Sequence, residues 1–299
     1  MKYCLLQWFW NLLSHIPLRV MYVLSDGLFY PLYHLGRYRR KIVRKNLTES
    51  FPEKSLQEIR KIEKQFYRFF TDMFFETCKM ATISPQKMSQ RMKFTNMEAI
   101  EAVLQQGKSI SLYLGHYGNW EWVSSLPLYL NREIVAGQIY SKLRNKVMNR
   151  LVLRYRECMG AVCIEKNDTA RKINEWIKNR KVCIIGFIAD QSPGKQDTRH
   201  YVPFLNHYTP TLVGTEKLTK RYGFEAWYLN VKRLKRGYYE AEFVRMHENP
   251  QSLPDFDLTD IYFRYLEQAI FKQPELYLWT HKRFKHAQKI DVKNNNQYK

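Results

Sequence analysis

Two short stretches constrain this chain more than anything else in it. SISLYL (109–114) and KVCIIGFIAD (181–190) are nearly continuous apolar runs, the pattern of strands buried on both faces of a sheet. The sequence around them is helical in period. RNKVMNRLVLRYRECMG and DTARKINEWIKNRK read as helices flanking a strand at AVCI, and GTEKLTKRYG reads as another. FEAWYLNVKRL and YYEAEFVRM alternate apolar with polar about KRGY, which predicts a hairpin. TDIYFRYLEQAIFKQ is the last helix, and KIDVKNNNQYK beyond it has the composition of a disordered tail. Strands alternating with helices predict an α/β domain over 85–285, a mixed sheet flanked by helices, with a polar tail at 286–299.

The region before it is helical. SLQEIRKIEKQFYRFFTDMFFETCKM carries apolar residues at 56, 59, 62, 66, 69, 70, 73 and 74, one long amphipathic helix lying on the domain or on a membrane within an amphipathic region at 37–84. MEAIEAVLQQGK is a further helix, ended by Gly107. Residues 1–36 hold two apolar, aromatic pieces, one broken by His15, Pro17 and Arg19, the other by Asp26 and Pro31. Neither supplies the roughly twenty unbroken apolar residues of a span, and no small-residue cleavage site follows them. They are either buried helices or a membrane anchor. Trp and Tyr collect where membranes meet water, and Arg37, Arg39, Arg40, Lys41, Arg44 and Lys45 follow at once, where anionic headgroups attract them. An N-terminal helical, membrane-associated region is therefore the expectation.

Charge points the same way. The chain has 49 Lys+Arg against 28 Asp+Glu, a formal +21, with 21 Tyr, 17 Phe and 7 Trp. Nucleic acid, an anionic membrane and an acidic partner all suit such a surface. No zinc-finger spacing, heptad, RNA-recognition signature or basic tail supports nucleic acid. Cys4, Cys78, Cys158, Cys163 and Cys183 include no C-x-x-C pair, so they read as reduced thiols of a cytosol-facing protein, with no metal site implied.

After SISLYL the chain continues GHYGNWEW, placing His116 and Glu121 five apart. On one helix, positions five apart diverge by about 140°, so the two meet only if the chain changes conformation between them. A strand ending at Leu114, a turn at Gly115 and a helix capped by Asn119 would allow it. Glu121 would then hold one ring nitrogen of His116 and leave the other as a general base, with the substrate's hydroxyl as nucleophile. By spacing alone His116 can equally be a satisfied core histidine and Glu121 a surface charge. Asp190 ends a buried strand at the edge where α/β sheets bind ligands, and Gln191 follows it; Asp190 can also be a turn cap.

These residues sit in a longer resemblance. GHYGNWEW resembles the H-x-x-x-x-D/E block of glycerolipid acyltransferases, in the form seen in the late acyltransferases of lipid A biosynthesis. VRKNLTESFPE, IYSKLRNKVMNRLVLRYRECMG, IADQSPGKQDTRHYVPFLNHYTPTLVGTEKLTKRYG and PELYLWTHKRFK are similar to four further blocks of that family, in order, over about residues 40–285. Where the family often has Tyr-Arg-Pro this chain has YSK (140–142), which leaves Arg144, Arg154 and Arg156 as candidates for one functional arginine. The resemblance implies a glycerolipid-acyltransferase-like α/β fold and a membrane-bound enzyme at the cytoplasmic face of the inner membrane. It implies transfer of a fatty acyl group from a thioester co-substrate to a hydroxyl of a lipid A precursor, without further cofactor. His116 and Glu121 would be catalytic, with Arg156, Asp190, Gln191, Asn119 and Asn145 at the substrates. Acyl carrier protein and the lipid are both anionic; coenzyme A as donor, and another membrane lipid as acceptor, fit the same residues.

Overall fold

The computed structural model describes residues 2–194, 196 and 198–288; the tail KIDVKNNNQYK lies outside them. The chain opens with helices α1 (Lys2–His15), α2 (Leu18–Tyr30), α3 (Arg40–Ser50), α4 (Leu56–Lys79), α5 (Pro85–Arg91) and α6 (Met97–Gln105). Pro17 separates the first two, and a single π-helical turn, Pro31–Leu35, follows α2. A capping box at Ser55 and Glu58 starts α4.

The amphipathic expectation for α4 is too modest. Ile59, Phe66, Tyr67 and Phe69 are buried, and so are Glu63, Asp72 and Glu76. Each of these carboxylates ties α4 to a neighbour. Glu63 accepts from Arg40 and Arg44, so part of the basic cluster expected to meet headgroups is an internal counter-charge. Asp72 accepts from Ser25 on α2 and from Arg233 and Arg236, and Arg236 also pairs with Asp26. Lys79 caps the carbonyls of Ser14 and Ile16. The N-terminal helices are thereby fastened to the rest, and one apolar core runs from Trp10 to Trp279.

The strands are β1 (Met92–Thr95), β2 (Ile110–Leu114), β3 (Val135–Tyr140), β4 (Val162–Glu165), β5 (Cys183–Ile188), β6 (Tyr201–Phe204), β7 (His207–Pro210), β8 (Glu225–Lys235) and β9 (Tyr238–His247). Among the described residues seven form one sheet in the order β1-β9-β8-β2-β5-β3-β4, and β6–β7 stand apart as a hairpin. From β8 to β4 neighbours are parallel; β9 returns antiparallel to β8, and β1 runs parallel to β9. Helices α7 (Lys146–Glu157), α8 (Thr169–Lys178) and α9 (Gly214–Tyr222) connect the parallel strands, and α10 (Asp257–Lys272) packs against β8 and β9. Ile184 belongs to the main core and Ile185 to a second one with Ile173 and Trp176. Strand β5 is thus buried on both faces, which is why its sequence is an unbroken apolar run.

Of the sheet's short members, β4 is the strand expected at AVCI. β1, with four residues, and β3, VAGQIY with a glycine at its middle, are not legible in the sequence. The β6–β7 turn puts Leu205 and Asn206 both at positive φ (51° and 59°), the geometry of a two-residue hairpin turn. Leucine there gives no turn signal.

Candidate active site

The site grows from strand register. β2 and β5 are parallel neighbours with Leu114 opposite Ile188, so His116 and Asp190, each two residues beyond, arrive side by side at the carboxyl edge of the sheet. His116 Nδ1 lies 2.8 Å from Asp190 Oδ1, and the His116 backbone N–H donates to the same oxygen at 3.2 Å. Asp190 is 2% exposed. Burial alone would push its carboxyl up, but the charge of His116, its two hydrogen bonds and the Arg283 guanidinium bring it below the ordinary carboxylate range. An ionised Asp190 makes Nδ1 the protonated nitrogen and leaves the lone pair on Nε2. There Gln191 places its Nε2 at 3.3 Å.

The loop carrying His116 is clamped by the C-terminal segment. Leu278 N–H donates to the His116 carbonyl, Gly118 N–H to that of Leu276, and Asn46 of α3 holds the carbonyls of Trp279 and His281. The tight turn expected at Gly115 falls at Gly118, with φ 63° and a β-carbon position 2.6 Å from Val231. Gly115 is needed for closeness instead, since a β-carbon there would come within 2.7 Å of Leu266.

Glu121 does not fold back onto His116. No α-helix starts at Asn119; a 3-10 helix, Trp122–Tyr129, follows Glu121, and the carboxylate faces α7. Arg156 binds it through two parallel bonds, Nε to Oε2 at 2.7 Å and Nη2 to Oε1 at 2.5 Å. This fork-to-fork geometry captures a carboxylate more strongly than one imidazole nitrogen does. Trp120 links the two centres, with its ring edge-on to His116 at 5.3 Å and its indole N–H on Glu121 at 3.1 Å. Burial works against charge on Glu121, but Arg156 overcomes it, and the carboxyl is held below its usual value.

The remaining candidates separate cleanly. His116, Trp120, Arg156 and Gln191 line one cavity of about 820 Å³, largely apolar, with Leu112, Ala136 and Ile184 among its walls and Lys166, Arg199 and Lys217 also lining it. Arg144 and Arg154 line an adjoining open groove instead, so Arg156 is the one of the three beside His116. Asn119 is buried and engaged at both ends, donating to Glu76 at 2.7 Å and accepting from the Trp122 N–H at 3.0 Å. Asn145 is exposed and caps α7 through the N–H groups of Val147 and Met148. Both therefore shape the backbone and do not face the cavity. Tyr277, His281 and Arg283, to which sequence reasoning gave no role, lie in the C-terminal segment that clamps the His116 loop, with Tyr277 bridged to Tyr117 and Leu278 bonded to His116. Their signal was the PELYLWTHKRFK block, which carries no chemistry until the fold brings it to the sheet edge.

A lone pair on a half-buried, carboxylate-backed imidazole at a cavity mouth can deprotonate a hydroxyl. The family described as bacterial lipid A biosynthesis acyltransferase matches the chain over residues 2–286. No curated protein matches it. The match covers nearly the whole chain, and the chain belongs to this family.

Proposed function

From that membership, which makes the protein an acyltransferase, we propose that it moves a fatty acyl group from acyl carrier protein to a hydroxyl of a lipid A precursor. His116 is its base, and Asp190, not Glu121, is that base's partner. The observation that carries this reading is the His116–Asp190 pair, with Nε2 turned to the apolar cavity. The acceptor hydroxyl displaces the Gln191 amide from Nε2, and its oxygen attacks the thioester carbonyl as His116 takes the proton. Asp190 stabilises the imidazolium. The displaced Gln191 and the Arg156 edge outside the Glu121 pair are the donors for the oxyanion; one such donor contributes about 3–4 kcal/mol. Collapse expels the thiolate, which recovers the proton from His116. The acyl chain occupies the apolar cavity during transfer.

The protein works at the cytoplasmic face of the inner membrane. No helix among the described residues is long and apolar enough to cross a membrane; α1 and α2, about 21 Å and 20 Å long by their residue counts, lie in its interface. Trp8, Phe9, Leu12, Val20 and Val23 are exposed on them, as on an interfacial amphipathic pair.

Labelled acyl carrier protein and coenzyme A thioesters, offered with lipid A precursor or with a lysophospholipid in mixed micelles, test the assignment. Label should pass from the carrier protein to the lipid A precursor. Transfer only from coenzyme A, or only to the lysophospholipid, would refute the donor or the acceptor.

A further inference from the structure

Arg156 stands near the end of α7, and the chain leading up to it carries charge that the site does not use. From Lys142 to Arg154 there are five cations, Lys142, Arg144, Lys146, Arg150 and Arg154, and no carboxylate. Lys142 pairs with Glu165 at 2.9 Å. Arg144, Lys146 and Arg154 are exposed, and their side chains form no hydrogen bond or ion pair with another described residue. Positions 146, 150 and 154 fall four apart on α7, so their side chains make one stripe about 12 Å long. Leu151 and Tyr155 are buried and turn another side of the helix inward, where Tyr155 stacks on Trp10 of α1 at 5.7 Å.

The stripe borders an open groove of about 1030 Å³, lined by Arg144, Lys146 and Arg154 together with Leu143, Asn149 and Leu153. The last three also line the cavity that holds His116, so groove and cavity share a wall. Leu143 N–H donates to Asn149 Oδ1 at 2.9 Å, which ties the loop after β3 to α7 at that wall. Two residues beyond Arg154, Arg156 holds Glu121 at 2.7 Å, and Trp120 joins Glu121 to the His116 ring. A molecule held on the stripe is therefore held beside the cavity, with one helix leading from it to the reacting atoms.

The chemistry of the stripe selects its occupant. Seating on a membrane needs apolar side chains to enter the headgroup layer as well as charge. Trp8, Phe9 and Val23 supply them on α1 and α2, whereas α7 exposes no large apolar side chain. A row of unpaired cations without such side chains complements an acidic protein surface. We propose that the α7 stripe docks the acyl carrier protein, with Arg144, Lys146 and Arg154 meeting its carboxylates while the thioester arm passes over the Leu143–Leu153 wall into the cavity. The inference rests on the reading of the carrier protein as acyl donor and adds where that donor binds.

The test compares the native protein with the Arg144→Glu/Lys146→Glu/Arg154→Glu variant. Each is given one acyl group on the carrier protein or on free pantetheine, with carrier binding, melting temperature and sedimentation with anionic vesicles measured alongside. The variant should lose roughly tenfold to a hundredfold in kcat/KM with the carrier thioester, mainly through KM, and in carrier affinity by a similar factor. Its kcat/KM with acyl-pantetheine, its melting temperature and its sedimentation should stay native. Added salt should lower native kcat/KM with the carrier and leave that of the variant nearly flat. Native carrier affinity and kinetics in the variant overturn this inference alone. So does an equal loss with both donors, which would place the stripe in acceptor binding or chemistry, and so does lost sedimentation, which would make a lipid surface its occupant. A native protein that neither binds the carrier nor accepts its thioester overturns the reading beneath it as well.

Discussion

An imidazole serves as a base when its far nitrogen is held and its charged form is stabilised, and at His116 both come from a residue 74 positions away. The same cluster writes itself into stability. His281 is lowered to about 4 by burial, against the opposing pull of the Asp190 carboxylate. It stays neutral in the fold while the unfolded chain takes up its proton near 6.5. Its contribution is therefore complete above about pH 6.5 and is lost as pH falls towards 4. Asp190 and Glu121, both lowered, contribute above about pH 4 and lose it below. Thermal melts across this range should show stability declining from about pH 6.5 downward and more steeply below about pH 4. His281→Gln should remove the first decline and leave the second. At this scale the sequence named His116, Arg156, Asp190 and Gln191 as candidates, and the fold brings His116, Arg156 and Gln191 to one cavity with Asp190 behind His116. Asp190 as the partner of His116 was not legible, because a carboxylate five residues away and one at the end of another strand look alike until register is known.

Elements explain which half of the sequence could be read. β2 and β5 declare themselves because burial on both faces writes a continuous apolar run, and both end two residues before a functional side chain. Their adjacency is not written anywhere in the chain, and that adjacency makes the site. The N-terminal helices show the reverse limit: α1 and α2 read as an anchor, yet each has a second face in the core, with Trp10, Met21 and Phe29 buried. Deleting them would strip Ser25 and Asp26 from the Asp72 cluster and confuse unfolding with detachment. Substitution on the outer face is cleaner. Trp8, 65% exposed, and Val23, 69% exposed, changed with Phe9 to serine, should release the protein from anionic vesicles while its melting temperature holds. Undiminished sedimentation with the vesicles would place the anchor elsewhere.

Over the whole molecule, distant blocks close on one loop. Asn46 holds the C-terminal carbonyls, Leu278 holds His116, Asp190 comes from β5, and Arg156 comes from α7 to Glu121. A chain with a formal charge of +21 surrounds this cluster, and such a charge would draw the proposed anionic donor and acceptor to it. The central claim is that His116 answers to Asp190 and that Glu121 serves Arg156. The direct measurement is kcat for Asp190→Asn and Glu121→Gln side by side, with circular dichroism and melting temperature confirming that both fold. Asp190→Asn should lower kcat by roughly two to four orders of magnitude, as neutralising a triad carboxylate does. Glu121→Gln, which loosens Arg156 without touching Nδ1, should cost about tenfold and mainly in kcat, because Arg156 is a donor to the oxyanion. A folded Asp190→Asn enzyme with native kcat, beside a Glu121→Gln enzyme that no longer turns over, would contradict the account.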